Sequence, residues 1–316
     1  MPRVSIVLVN YNYANYLEER IQSFLNQTYK DFELIILENG STDESVEIIQ
    51  RYETDNRVKA VFYPENQPLF ERFNLGVDLA QGEYLLIASS DDSCHPELLE
   101  KLVEKLDNYP NVGLVYSQSW DIDSKGNRLR SWKEWTDDLS KEQWSNDYIK
   151  PGIDECRHLF FKCIIPCSGA ALIRRKLFLE AGKFDTQIPL AADWMVYAKI
   201  LTVSDIAYVA EPLNNFRTHS NTWRNITRLK LELEGRLQVW GYLSKKVQIP
   251  ENFWQDAYEP TLRWWIRSMF SNEFSFHENW KIYRLFREID SRVNQRIVDY
   301  FVYLFWQKFQ ISKLRF

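Results

Sequence analysis

Glycine is scarce in this chain, with 10 residues in 316, and none follows the first apolar run. There the sequence reads Asn10-Tyr11-Asn12-Tyr13-Ala14. The glycine fingerprint that seats a dinucleotide on a helix N-terminus is therefore missing, and redox chemistry of that type is excluded. The glycine-rich Walker loop and the G-x-S-x-G nucleophile elbow are absent as well. Basic residues are outnumbered, 39 Lys and Arg against 44 Asp and Glu, and a net charge of -5 offers no general attraction for nucleic acid. No run of about 18 apolar residues is present, so no membrane-crossing helix is expected. Cysteines number 4. With Met1-Pro2-Arg3 leading straight into an apolar run and no leader pattern, a cytoplasmic, reduced setting with free thiols is expected. Cys156, His158, Cys163 and Cys167 lack the paired C-x-x-C knuckles of zinc sites. The intervening Leu159-Phe160-Phe161 and Ile164-Ile165 read as core, so zinc is rejected.

What is present is alternation. Residues 4–9 form a near-continuous β-branched run, as in a central parallel strand buried on both faces. A helix over 17–25 follows, with Leu17, Ile21, Phe24 and Leu25 on one face. Strands are expected at 32–37, 58–62, 84–88 and 112–116, and further helices at 70–80 and 96–106. Ser41 and Glu44 have capping-box spacing for a helix after the second strand. This rhythm predicts an open, mostly parallel α/β sheet flanked by helices. Ligands in such sheets sit beyond the carboxyl ends of the strands. Tyr11, Asn39 and the Asp91-Asp92 pair each fall just past a different strand end, so three polar loops converge on one crevice.

The rhythm breaks over 117–151. Asp121 to Asn127 hints at a calcium loop, but Lys125 stands where a ligand belongs, and a turn between extended segments is the simpler reading. Trp132, Trp135 and Trp144 either pin this polar stretch to the body or form a sugar-stacking platform, and pinning is favoured. Strands return at 169–173 and 207–209, with helices at 176–181 and from Asp193, and the chain beyond about residue 222 reads as helical. The division is 1–220, with halves of about 1–116 and 117–220, and a helical region over 221–316. The aromatic run 301–309, followed by Lys313 and Arg315, reads as a buried C-terminal helix. An interfacial membrane helix and a dimer contact are the alternatives.

Adjacent carboxylates repel, so Asp91-Asp92 is either a solvated strand-ending turn or a clamp for a divalent cation on phosphate. Tyr11 can lie against a base, Asn39 can bond its edge, and Arg72 is near enough to the strand ends to neutralise phosphate. Asp193 at a helix start reads as an N-cap.

An ordered series of motifs decides among these. It runs through Val4-Ser5-Ile6-Val7-Leu8-Val9-Asn10-Tyr11-Asn12, Gln27-Thr28, Phe32 to Asp43, Asn74-Leu75-Gly76, Gln81-Gly82-Glu83-Tyr84 and Ser90-Asp91-Asp92. It continues with Gly182-Lys183-Phe184-Asp185, Ala192-Asp193-Trp194 and Phe216-Arg217-Thr218-His219. Over roughly residues 3–220 the chain resembles the family-two glycosyltransferases of the GT-A fold. The resemblance implies metal-dependent, inverting transfer of a sugar from a nucleoside-diphosphate sugar, first of all a UDP-sugar. The acceptor would be a hydroxyl of a carbohydrate or lipid-linked saccharide, in polysaccharide or glycoconjugate synthesis. It implies Mg²⁺ or Mn²⁺ on Asp92, with Asp91 on the ribose or the metal and His219 completing the metal site. Val9, Tyr11 and Asn39 would hold the nucleotide, with Arg72 beside them, and Asp193 would be the general base. Ser89 stands where the family commonly has the first Asp of its metal stretch, and Glu38-Asn39-Gly40-Ser41 replaces Asp-Asp-Gly-Ser. Those two departures sustain a rival, a non-catalytic carbohydrate-binding or scaffold protein on an inactivated transferase fold. A nucleotidyltransferase is a second rival, but it would want a Gly- and Arg-rich loop after the first strand.

Overall fold

The computed structural model describes residues 1–188, 190–219, 228–271 and 273–313. Its strands are β1 (Val4–Asn10), β2 (Phe32–Asn39), β3 (Val58–Tyr63), β4 (Tyr84–Ala88) and β5 (Ser93–Cys94), then β6 (Val112–Ile122), β7 (Arg128–Ser131), β8 (Tyr148–Pro151), β9 (Ala171–Arg174) and β10 (Asp205–Arg217). The helices are α1 (Ala14–Leu25), α2 (Ser45–Gln50), α3 (Leu69–Leu79), α4 (Leu98–Asn108), α5 (Gly152–Glu155) and α6 (Arg175–Glu180). They continue with α7 (Ala192–Leu201), α8 (Arg228–Leu243), α9 (Glu259–Ser268), α10 (Phe276–Ile289) and α11 (Val293–Lys313).

One sheet runs in the order β3-β2-β1-β4-β9-β6-β10-β5, with β7 paired to β6 and β8 to β10. β1 lies parallel to β2 and β4, and β10 lies parallel to β6, while β9 is antiparallel between β4 and β6. All seven residues of β1 are buried, as its β-branched composition requires of a strand covered on both sides. Alternation then divides the core. Val7, Val9, Ile35 and Leu37 face one layer with Phe73 and Val77 of α3. Ile6, Leu8, Leu34 and Ile36 face the other, with Leu17, Ile21 and Phe24 of α1 and Leu99 and Leu102 of α4. The first of these layers extends without a break from α7 into the C-terminal helices, through Leu237, Trp240, Tyr258 and Phe286. The expected boundary at 220/221 lies outside the described residues.

Several expectations are corrected. β6 and β10 continue well beyond their apolar runs, because buried polar residues at their far ends find partners inside the sheet. Gln118 Nε2 donates to Tyr208 Oη at 2.8 Å, and Asn214 is fully buried. The capping box does not form: α2 starts later, and the Ser41 hydroxyl donates instead to Glu38 Oε2 at 2.9 Å. Asp43 takes over, accepting the backbone N–H groups of Ser45 and Ala14. Within the Asp121–Asn127 stretch, Asp121 and Ile122 end β6 and residues 123–127 form the turn into β7, with Asp123 Oδ1 accepting from Lys125 N and Asn127 N. Trp144 is buried and donates to Tyr116 Oη at 2.7 Å, which pins its loop. Trp135 is 40% exposed. The C-terminal helix is not a buried one throughout. Val293 and Tyr300 are buried, whereas Val298, Phe301, Val302, Phe305 and Trp306 are exposed. Arg315 lies outside the described residues.

Candidate active site

The carboxyl ends of β1, β2 and β4 open onto two adjoining depressions. The larger, of ≈ 670 Å³, is lined by Val9, Tyr11, Tyr13, Asn39, Asn66, Gln67 and His219, among others. The smaller, of ≈ 210 Å³, holds Ser89, Asp91, Asp193 and Phe216. Val9, Tyr13, Leu69 and Phe70 wall both, so the two form one bipartite cleft. Val9, Tyr11, Asn39, Asp91, Asp193 and His219 meet there. Arg72 and Asp92 do not line it.

The turn after β1 bends through Asn12, whose φ of 58° lies in the left-handed region that Asn tolerates better than most residues. Asn12 stabilises the turn by accepting Thr42 N at 2.8 Å. Tyr11 is left 38% exposed at the cleft rim. Behind it, buried Asn10 donates to Glu38 Oε2 at 2.8 Å, tying the ends of β1 and β2 together.

Asn39 is not available in the way its position suggests. Its Oδ1 accepts Arg72 Nε at 2.6 Å and Gln67 N at 3.1 Å, and its Nδ2 donates to Asn66 Oδ1 at 2.7 Å and Gln67 O at 2.9 Å. Its amide is therefore spent on shaping the 65–68 loop. Arg72 is buried, lies 3.6 Å from the Tyr63 ring centroid and donates to Glu65 O. It braces Asn39 and the loop, so that Asn66 and Gln67 stand at the cleft wall.

The acidic pair splits. Asp92 is 1% exposed. Its Oδ1 accepts Arg217 N at 2.9 Å and its Oδ2 accepts the Cys167 thiol at 3.2 Å. Burial, reinforced by the charge of Asp91, pushes its carboxyl up to about 6 against the opposing pull of Arg20. Arg20 is itself fully buried on α1 and donates from Nε to Ser89 O at 3.0 Å. Asp91 faces the cleft, and its Oδ2 meets His219 Nε2 at 3.2 Å. The His219 ring is 5.1 Å from Tyr16 and 5.9 Å from Tyr13. Burial and then the charges of Asp91 and Asp92 raise the Tyr13 phenol, keeping it neutral.

Asp193 lies in the first turn of α7 but is not its N-cap, which is Ala191. Its Oδ1 accepts Trp194 N at 2.8 Å, and the residue borders the smaller depression beside Asp91.

A divalent cation fits this donor set in one way. Among the described residues no group of three metal-ligating side chains exists. Asp91 and His219 nevertheless present an oxygen and a nitrogen 3.2 Å apart. Two ligands at right angles on an ion with bonds of about 2.1 Å would be about 3 Å apart. Such a pair suits an ion that brings phosphate oxygens and water as its remaining ligands.

The profile of the family described as "Glycosyl transferase family 2" matches residues 5–182, more than half of the chain. The chain belongs to glycosyltransferase family 2. An uncharacterized glycosyltransferase of Rickettsia typhi is 30% identical to this family member over 77% of the chain and 72% of its own length. Another, of Rickettsia conorii, is 34% identical over 69% of the chain, but the match spans only 34% of that longer protein. Among solved structures, residues 1–349 of S. aureus TarS superpose with a TM-score of 0.65 at 14% identity, covering 94% of this chain and 83% of that one. TarS has also been crystallised with UDP-GlcNAc and with UDP. At this identity the likeness establishes the fold: a mostly parallel sheet flanked by helices, GT-A-like, with a helical C-terminal region.

Sequence reasoning passed over Arg20, Asn66, Gln67 and Arg217 at this site. Arg20 left a signal, since it is a charge on the apolar face of α1 between Leu17 and Phe24.

Proposed function

We propose that this protein transfers a sugar from a nucleoside-diphosphate sugar, UDP-sugar first among donors, to an acceptor hydroxyl with inversion at the anomeric carbon. The observation that carries the reading is the bipartite cleft. Its larger half offers Tyr11, Asn66 and Gln67 to a nucleoside, and its smaller half is lined by both Asp91 and Asp193.

In this reading Tyr11 packs on the base, while Asn39 and Arg72 act indirectly by fixing the loop that carries Asn66 and Gln67. Asp91 and His219 would hold Mg²⁺ or Mn²⁺ for the diphosphate, and Asp92 is the buried carboxylate that anchors their loop. When bound, the ion supplies positive charge against the nucleoside-diphosphate leaving group. Asp193 takes the proton of the acceptor hydroxyl as that oxygen bonds to the anomeric carbon opposite the breaking bond to the diphosphate. The stretch Val9, Tyr13, Leu69 and Phe70 excludes water along the shared wall. TarS, of similar fold, has been crystallised with UDP-GlcNAc, which supports a uridine donor.

The surface of α11 supports a lipid-linked acceptor. Val298, Phe301, Val302, Phe305 and Trp306 recur at helical spacing on α11 and are exposed, and Lys308 and Lys313 follow in the same helix. An aromatic stripe with basic residues suits the surface of an anionic bilayer, and a lipid-linked saccharide would be presented there. A homodimer through the same stripe is the competing use.

A thermal-shift screen with Mn²⁺ against UDP, GDP and dTDP tests the donor assignment. At 100 times its Kd a specific ligand stabilises by about 2.7 kcal/mol. A shift with UDP and not with GDP is expected, and the absence of a shift with all three contradicts the reading.

A further inference from the structure

Arg217 ends β10 with its side chain 1% exposed, and it serves three separate segments. Its backbone N–H donates to Asp92 Oδ1 at 2.9 Å, and its Nε donates to the carbonyl of Asp91 at 2.6 Å. One terminal nitrogen donates to Asp123 O at 3.1 Å in the β6–β7 turn, and the other to Glu19 Oε2 at 2.7 Å on α1. The guanidinium carbon lies 4.9 Å from the Tyr16 ring centroid, and the His219 ring lies 5.1 Å from the same ring. Asp91 is thus gripped twice, by Arg217 at its main-chain carbonyl and by His219 at its carboxylate.

We propose that Arg217 is a positioning residue for sugar transfer. It fixes the backbone of Asp91 so that the carboxylate, with His219, meets the cation and diphosphate in one orientation. The inference rests on the functional reading given for this cleft. Three features argue for positioning beyond plain bracing. A guanidinium presents several donors in a rigid fork, which an ammonium cannot reproduce. The fork's shortest bond goes to the one residue of the acidic pair that faces the cleft. Finally, Arg217 and His219 sit two residues apart, so a shift of the β10 end moves both grips on Asp91 together.

The test uses the full chain carrying Arg217→Lys, which keeps the charge and loses the fork, and Glu19→Gln, which removes only the half-exposed carboxylate partner. Three quantities are measured: UDP affinity without metal by calorimetry, the Mn²⁺ concentration for half-maximal binding in the presence of UDP, and steady-state release of UDP from a UDP-sugar. Residues that orient metal ligands typically change metal affinity or activity by about 10–100-fold when mutated. Arg217→Lys is expected to weaken Mn²⁺ binding and lower kcat within that range while metal-free UDP affinity stays within about 2-fold. In an Asp91→Asn background the substitution is expected to cost little more, because both changes act through one side chain. Glu19→Gln is expected to shift Mn²⁺ binding in the same direction by a smaller factor, and it keeps the test open if Arg217→Lys does not fold. Unchanged Mn²⁺ binding in folded variants overturns the proposal. Equal losses in metal-free UDP affinity and Mn²⁺ binding overturn it too, since that is what a general brace would give. Wild-type protein that neither binds UDP nor turns over a UDP-sugar overturns the functional reading and this inference with it. An active wild type with an equally active Arg217→Lys overturns this inference alone.

Discussion

Asp91 and Asp92 are neighbours in sequence and opposites in structure, so their substitutions have different consequences. Asp92→Ala removes the acceptor of Arg217 N and of the Cys167 thiol, and the carboxylate whose charge acts on buried Arg20. Leaving a buried donor unpaired costs about 1–3 kcal/mol, and a fall of about that size in denaturant-unfolding free energy is expected. Asp91→Asn is expected to leave stability nearly unchanged and to lower transfer by about 10²–10³-fold, as a metal's charge stabilisation is worth several kcal/mol. Comparable melting of the two variants contradicts this division. The thiols give a second residue-level expectation. Burial raises Cys94 and Cys167, and pushes Cys156 up to about 12, whereas Cys163 is only half-buried. Since the thiolate is the reactive form, a disulfide reagent at pH 8 should label one thiol quickly in the native protein and four after denaturation. Two or more fast thiols would contradict the burial pattern. That Tyr11, Asn39, Asp91, Asp193 and His219 come together at one cleft was legible, because strand ends and motif spacing place them there. Which of two adjacent acids faces inward was not legible, since successive residues of an extended segment point opposite ways. The bracing of Asn39 by Arg72 was hidden too, because a spacing in sequence does not record which hydrogen bonds are already taken.

At the level of elements, α3 is seated on β1 and β2 by the missing side chain of Gly76. A Cβ there would come within 2.3 Å of Val7 Cγ1 and 2.8 Å of Leu37 Cδ1. Gly76→Ala is therefore expected to destabilise by about 1–3 kcal/mol through overpacking, although alanine is the better helix former. Because α3 begins at Leu69, on the cleft wall, weakened UDP binding should accompany the loss. A melting temperature at or above wild type would contradict it. The first five large strands were legible from apolar runs, four of them nearly continuous and buried and the edge strand β3 only half-buried. The far ends of β6 and β10 were not, because Ser117, Gln118, Ser119 and Asn214 look like loop residues until their partners inside the sheet are known. α2 was misplaced for a related reason: Ser41 and Glu44 had capping-box spacing, but Glu38 was near enough to take the Ser41 hydroxyl.

The whole molecule joins a mostly parallel sheet to a helical extension through one continuous apolar layer, and α11 of that extension carries an exposed aromatic stripe. If that stripe meets a bilayer, the protein should co-sediment with vesicles containing anionic lipid. Phe305→Glu combined with Trp306→Glu should abolish the effect while UDP binding persists. Concentration-dependent dimerisation lost in the same variant, with no vesicle binding, would assign the stripe to a second copy instead. The central claim is that the two halves of the cleft bind and react separately. It is tested most directly by comparing wild type with Asp193→Asn for UDP affinity and for UDP release from a UDP-sugar in the presence of acceptor and Mn²⁺. Loss of a general base costs about 10²–10⁴-fold, so the variant should bind UDP as wild type does and release it at least about 100-fold more slowly. Equal turnover in the two proteins would contradict the claim.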